Sequence, residues 1–194
     1  YSDKDILNII SKNIRKEYMT IFFIESCSNP NGNIFNFSLL KEIKKIAEPE
    51  MCKIIVDNTW LTSSVFNPFI FKEVDIVVNS LTKYYGAGQS GIMGTIICKD
   101  EELGTNIANY GKIKGLHVCP RYCAELSKNL DNLDERIRKI SNMTLKIAEY
   151  LSKKVPVNYP KLENNPSYTR AIEYYGKLGP GVLTFEIPLN KKDA

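Results

Sequence analysis

Histidine is nearly missing from this sequence, with His117 the single one among 194 residues. The five cysteines, Cys27, Cys52, Cys98, Cys119 and Cys123, form an odd set with no CxxC spacing. Structural zinc takes four Cys or His ligands in paired spacings, so His117 with Cys119 and Cys123 lacks both the ligand count and the pattern, and no metal site is expected. Unpaired thiols of this kind suit a reducing, cytosol-like compartment and a cytoplasmic location. Long apolar runs are also lacking. The longest, Thr20-Ile21-Phe22-Phe23-Ile24, is the length of a strand and far below the roughly 20 residues of a membrane span, so no membrane partner is expected. The opening Tyr1-Ser2-Asp3-Lys4 is polar and has no leader pattern, which leaves the sequons at Asn36 and Asn142 without a secretory setting. No charge of one sign is gathered into a block. The 26 basic and 22 acidic residues are spread along the chain, so the net charge of +4 describes a solvated surface and no nucleic-acid partner is expected. The pairs Tyr84-Tyr85 and Tyr174-Tyr175 read as packing residues with a wet edge.

What is present is ordinary globular material. The hydrophobic fraction is 43% and the charged fraction 25%, and the length suffices for a domain and a half. Ser2 is placed to cap a helix carrying Ile6, Ile9, Ile10 and Ile14 at helical spacing. A second helix is expected over 38–47, with Leu39, Leu40, Ile43 and Ile46 on one side and Pro49 just past its end. Four apolar runs read as strands: 20–24, 53–57, 75–79 and 94–98. Continuous runs imply burial on both faces, and their long connections imply a mostly parallel α/β sheet flanked by helices. From Tyr122 to Lys154 the pattern is helical, with Leu126, Leu130, Leu133, Ile137 and Ile140 as a core-facing stripe. A last strand is expected over 182–187. The boundary falls near residue 130, giving an α/β domain over 1–130 and, over 131–194, a long linking helix and the start of a smaller α+β domain. No internal repeat is visible.

In open α/β sheets, ligands bind beyond the carboxyl ends of the parallel strands. Glu25-Ser26-Cys27-Ser28-Asn29-Pro30 follows the first strand, Asp57-Asn58-Thr59-Trp60 the second, and Ser80-Leu81-Thr82-Lys83 the third. Those segments bring an amide, a carboxylate, hydroxyls and an amine to one rim. Singly, Asp57 reads as a loop cap, Asn29 as a turn former and Lys83 as a solvated lysine.

Taken in order, Glu25-Ser26-x-x-Asn29-Pro30, Val56-Asp57-Asn58-Thr59 and Ser80-x-Thr82-Lys83-Tyr84 resemble the cofactor site of the transsulfuration (Cys/Met metabolism) family of fold-type I pyridoxal-phosphate enzymes. Asn67-Pro68, Asp75-Ile76-Val77, Tyr159-Pro160-x-Leu162 and Gly181-Val182-Leu183-Thr184-Phe185 extend the likeness over nearly the whole chain. The resemblance implies pyridoxal 5'-phosphate as cofactor and Lys83 as its Schiff-base lysine. Burial of such an amine favours the neutral nucleophile, and the same group is placed to move protons at Cα and at the departing sulfur. Asp57 is implied as the carboxylate beside the ring nitrogen, Ser80 and Thr82 as phosphate donors, Asn29 as a neighbour of the ring hydroxyl and substrate, and Thr59 as the residue under the ring. Ser80 and Thr82 are two apart on an extended segment, so their side chains are expected to project to the same side.

Trp60, where many γ-synthases and γ-lyases carry phenylalanine, and Ile92-Met93-Gly94-Thr95 are similar to the cystathionine β-lyase wording. They favour β-elimination from a small sulfur amino acid such as cystathionine, giving a thiol, pyruvate and ammonia. Cystathionine γ-synthase, γ-lyase and methionine γ-lyase chemistry are the alternatives. The chain departs from the family at Ala87-Gly88-Gln89-Ser90, where Gly-His-Ser-Asp is usual, at Cys27, where proline is usual, and at Lys128-Asn129, where Arg-Gly is usual. The family's glycine phosphate loop, ring-stacking tyrosine and Tyr-x-Arg element lie upstream of the matched region, and its carboxylate-gripping arginine lies downstream. The chain therefore reads as an incomplete part of the family's full length. The expectation is a homo-oligomeric carbon–sulfur lyase with its site at a subunit interface. The reading of another class is a truncated, non-catalytic homologue serving as a binding or assembly partner.

Overall fold

The computed structural model describes residues 2–88 and 91–187. Helix α1 (Asp3–Asn13) starts as its sequence implies: the Asp5 amide donates to Ser2 Oγ and the Ser2 amide to the Asp5 carboxylate, a closed capping box. Its inward stripe is offset from the expected isoleucines. Leu7, Ile10 and Ile14 pack against the core, while Ile9 is exposed. Strand β1 (Thr20–Glu25) follows. The Asn36 side chain then caps a 3-10 turn over Phe37–Leu39 that leads into α2 (Leu40–Ala47), so the helix expected from Ser38 opens on a tighter turn. Next come β2 (Cys52–Asp57), the single turn α3 (Thr62–Val65), β3 (Ile76–Ser80) and β4 (Gly94–Cys98).

These strands form one sheet in the order β1-β2-β3-β4. The first three are parallel, with Glu25 beside Asp57, and β4 runs back antiparallel to β3 with Thr95 opposite Asn79. A mostly parallel sheet with flanking helices is thus the architecture. The strands are not buried on both faces, however. On one face Cys52, Ile54 and Val56 are fully buried in a cluster with Leu40, Ile43 and Ala47 of α2. On the other face Ile21, Phe23 and Ile96 are 61%, 60% and 56% exposed. Neither core cluster of the described residues reaches these three side chains, which present more than half of their surface to water.

Helices α4 (Glu101–Ile113), α5 (Pro120–Leu130) and α6 (Leu133–Leu151) come after the sheet. The helical run expected from Tyr122 to Lys154 is therefore two helices broken at Asp131-Asn132. The break turns the stripe: Leu133 and Ile137 are buried in the main core, whereas Leu130 is exposed. A second, small cluster of Ala148, Tyr159 and Leu162 lies where β5 (Val157–Asn158) pairs antiparallel with β6 (Thr184–Phe185). The strand expected over 182–187 is limited to those two residues. Helix α7 (Tyr168–Tyr175) returns to the main core through Ala171 and Tyr175.

The carboxyl ends of the strands are fastened by one buried amide. The backbone N–H of Asn58 donates to Val78 O on β3, and its Oδ1 accepts the Ser26 hydroxyl at 2.8 Å. Its Nδ2 donates to Thr62 O at 3.1 Å and Phe66 O at 2.8 Å. Ser26 in turn donates its N–H to Asp57 O, and its own carbonyl accepts the buried Tyr175 hydroxyl at 2.7 Å. The first two rim segments and strand β3 are joined through these atoms.

Two outcomes test this packing. Asn58→Ala strands the Ser26 hydroxyl and the Phe66 carbonyl and leaves Thr62 O with the Phe66 amide alone; the expected loss is about 3 kcal/mol in urea unfolding, and a loss below about 1 kcal/mol contradicts the fastening role. Burial, with the Glu25 charge second, pushes the Cys27 thiol up to about 12. At pH 8 Cys27 is therefore neutral, and iodoacetamide is expected to label exposed Cys119 and Cys123 while sparing Cys27 until the chain is denatured. Equal labelling of Cys27 in the native chain contradicts this.

Candidate active site

Each parallel strand delivers one group to the rim. Glu25 ends β1, Asp57 ends β2 and Ser80 ends β3. A cavity of about 180 Å³ lies among them, lined by Glu25, Cys27, Asn29, Asp57, Thr59, Trp60, Ser80 and Lys83. A larger cavity of about 610 Å³ shares Asn29, Thr59, Trp60 and Lys83 with it and adds Thr82, Tyr84, Arg136, Ile140 and Val182. The two spaces meet at Lys83. Five of the six residues singled out from sequence (Asn29, Asp57, Thr59, Ser80 and Lys83) therefore border one small space, and Thr82 borders its neighbour.

The local geometry explains how they are held. One Asp57 carboxylate oxygen accepts the Thr59 amide at 2.9 Å, which orients the carboxylate at the strand end. Thr59 Oγ1 accepts the Ser80 amide at 2.8 Å, tying the rim of β2 to that of β3. The Asn29 amide donates to the Glu25 carboxylate at 3.1 Å, folding the loop after β1 back toward its own strand.

Two expectations are corrected here. Ser80 and Thr82 do not lie on one extended segment, because the chain leaves β3 at Ser80 and residues 81–88 form turns. Alternation of side chains therefore does not apply, and Thr82 Oγ1 instead accepts the Met93 amide at 3.3 Å and donates to the Met93 carbonyl at 3.4 Å. Lys83 is exposed and so is not the desolvated amine that the reading of its chemistry called for. The cavity is open on that side. Of the departures noted after the lysine, Ala87 and Gly88 have left-handed φ of 53° and 71°, while Gln89 and Ser90 lie outside the described residues.

Sequence reasoning missed Arg136. Its guanidinium lines the larger cavity and donates to Tyr84 O at 2.7 Å, Asn129 O at 2.7 Å and Asn132 Oδ1 at 2.8 Å, with a longer contact to Tyr85 O at 3.5 Å. Nothing in the sequence marks it, since it is one of several charges on α6 and the Tyr84 and Tyr85 carbonyls it holds are some fifty positions away. Trp60 was read only for what it says of the reaction, yet its side chain walls both cavities. Gly181 is needed for space: a Cβ there would meet Tyr84 Oη at 2.6 Å and Ile140 Cγ2 at 2.5 Å. Among the described residues no group of three His, Cys, Asp or Glu is placed to hold a metal ion, and no helix is long and apolar enough to cross a membrane.

The chain is similar in sequence and fold to known proteins. Cystathionine gamma-lyase of Saccharomyces cerevisiae is 30% identical over 189 residues, which are 94% of this chain and 48% of that protein. Cystathionine beta-lyase MetC of Bacillus subtilis is 28% identical over 184 residues, 93% of this chain and 45% of that one. The crystal structure of the yeast cystathionine gamma-lyase superposes with a TM-score of 0.87 at 28% identity, covering 95% of this chain and 48% of that one. A Campylobacter jejuni putative O-acetylhomoserine (thiol)-lyase, whose structure contains N'-pyridoxyl-lysine-5'-monophosphate, superposes at 0.83 with 25% identity, covering 95% of this chain and 51% of that one. The chain spans about half the length of the curated relatives it matches. The family described as Cys/Met metabolism PLP-dependent enzyme matches residues 1–194, and the chain belongs to that pyridoxal-phosphate-dependent family.

Proposed function

We propose that this chain carries the cofactor lysine of a carbon–sulfur lyase that cleaves a small sulfur amino acid such as cystathionine by β-elimination. One observation carries the reading: Lys83, Asp57, Thr59, Ser80 and Asn29 come from three strand ends to border a single cavity beside a larger one. The donor set fits pyridoxal phosphate. The cofactor has an aldehyde for an amine, a ring nitrogen for a carboxylate, and hydroxyl and phosphate oxygens for neutral donors. Lys83, Asp57, and the Ser80 hydroxyl with the Asn29 amide match these in kind.

Bound pyridoxal phosphate supplies the electron sink that acidifies the substrate Cα–H. The residues of this chain do the rest. Asp57, fixed by the Thr59 amide, would be the carboxylate that stabilises a protonated ring nitrogen. Ser80 would donate to the phosphate, whereas the Thr82 hydroxyl, on the side of the larger cavity, would do so only by giving up its bond to the Met93 carbonyl. Lys83 would hold the cofactor through its amine and, once the substrate amine has displaced it, would take the proton from Cα and return one to the departing sulfur. Trp60, Ile140 and Val182 give the larger cavity apolar walls that suit the methylene and sulfur portion of the substrate. Trp60 and the wording around Met93 support β- over γ-elimination. The exposed side, at Lys83 and Asn29, is where a neighbouring subunit of a homo-oligomer would complete the site.

The purified chain, supplied with pyridoxal phosphate and cystathionine, is expected to release homocysteine, pyruvate and ammonia, and Lys83→Ala is expected to abolish this. Ser80→Ala is expected to raise the dissociation constant for the cofactor about tenfold, the effect of losing one hydrogen bond to a charged group. Cysteine and 2-oxobutyrate as products would assign γ-elimination instead. A chain inert and colourless alike with and without Lys83 would overturn the enzyme reading in favour of a non-catalytic homologue.

A further inference from the structure

Lys83 has no hydrogen-bond or ion-pair partner for its own side chain among the described residues, and it is exposed. Its position in the cavity is therefore set by the backbone on either side. On one side Thr82 is pinned to both backbone groups of Met93. On the other side three consecutive carbonyls are held from a single place. Tyr84 O and Tyr85 O accept from the Arg136 guanidinium, and Gly86 O accepts from Asn129 Nδ2 at 3.1 Å.

That place is the junction between α5 and α6. Asn129 lies in the last turn of α5, where carbonyls have no partner within the helix, and its carbonyl accepts from the same guanidinium. The positive charge also suits the negative end of the helix dipole. Arg136 Nε donates to Asn132, which precedes α6. A planar fork of five donors can meet acceptors from several segments at once, whereas an ammonium is a point charge on a flexible stem. Beyond the carbonyls, the Tyr84 ring abuts the space kept by Gly181, and the Ser63 amide donates to the Tyr85 hydroxyl at 3.0 Å.

We infer that Arg136 is a positioning residue: it locks the turn after Lys83 to the α5–α6 junction and so fixes where the lysine amine enters the cavity. Four of its five N–H donors meet protein acceptors, so its action on Lys83 runs through the backbone. The inference rests on the proposed role of Lys83 as cofactor lysine, and the test separates the two.

The test compares the chain with Arg136→Met and Arg136→Lys in two measurements. The first is amide hydrogen exchange without cofactor. Both variants are expected to exchange about tenfold faster over 84–88, where the Ala87 amide donates to the Tyr84 carbonyl, with the amides of β2 changed less than about twofold. The second is the pyridoxal phosphate concentration needed to trap cofactor on Lys83 with borohydride. It is expected to rise about tenfold in both variants, with Arg136→Lys regaining thermal stability but not cofactor capture. Unchanged exchange over 84–88, acceleration spread equally through β2, or full recovery of capture by Arg136→Lys would each overturn the inference. A parent chain that traps no cofactor, yet shows the local exchange effect in both variants, overturns the cofactor reading and supports the lock.

Discussion

The buried side chain of Asn58 is the tie on which the site depends. It sits between Asp57 and Thr59, two residues whose side chains face the cavity, and it faces the other way. Its oxygen takes the hydroxyl after β1 and its nitrogen serves two carbonyls of the loop after β2. Its backbone amide reaches β3. A buried amide left unpaired is costly, so these bonds form together or not at all. The carboxylate and the hydroxyl on either side inherit their places from that constraint.

From this tie outward, the site is braced on the covered face and open on the other. Aromatic packing around Phe37, with Phe66 at 5.2 Å and Phe71 at 5.1 Å, anchors the loops behind the strands. Tyr175 and Arg136 reach in from the helices that follow the sheet, so those helices belong mechanically to the rim. The opposite face presents Ile21, Phe23 and Ile96 to water. Parallel sheets gain their stability from cover on both faces, and here the described residues supply one.

How much of this was legible in the sequence follows from the range of the interactions. Strand identities, their mostly parallel arrangement and the collection of polar residues at the strand ends were readable, because an apolar run such as 53–57 is local and the rule placing ligands at strand ends is general. The Ser2 cap was readable for the same reason. Burial on both faces was misread, since an apolar run records what a strand is suited to and not what lies over it. Ser80 and Thr82 were wrongly placed on one segment because nothing local marks the end of β3; the bonds to Met93 that shape the turn come from eleven residues away. The break at Asp131-Asn132 and the Arg136 lock were invisible because both express contacts between distant parts of the chain.

The most direct test of the central claim is peptide mapping after borohydride reduction of the chain with stoichiometric pyridoxal phosphate. The account predicts a pyridoxyl group concentrated on the peptide containing Lys83. A label spread over surface lysines, with Lys83 no more modified than the rest, would contradict the claim that this rim is a cofactor site.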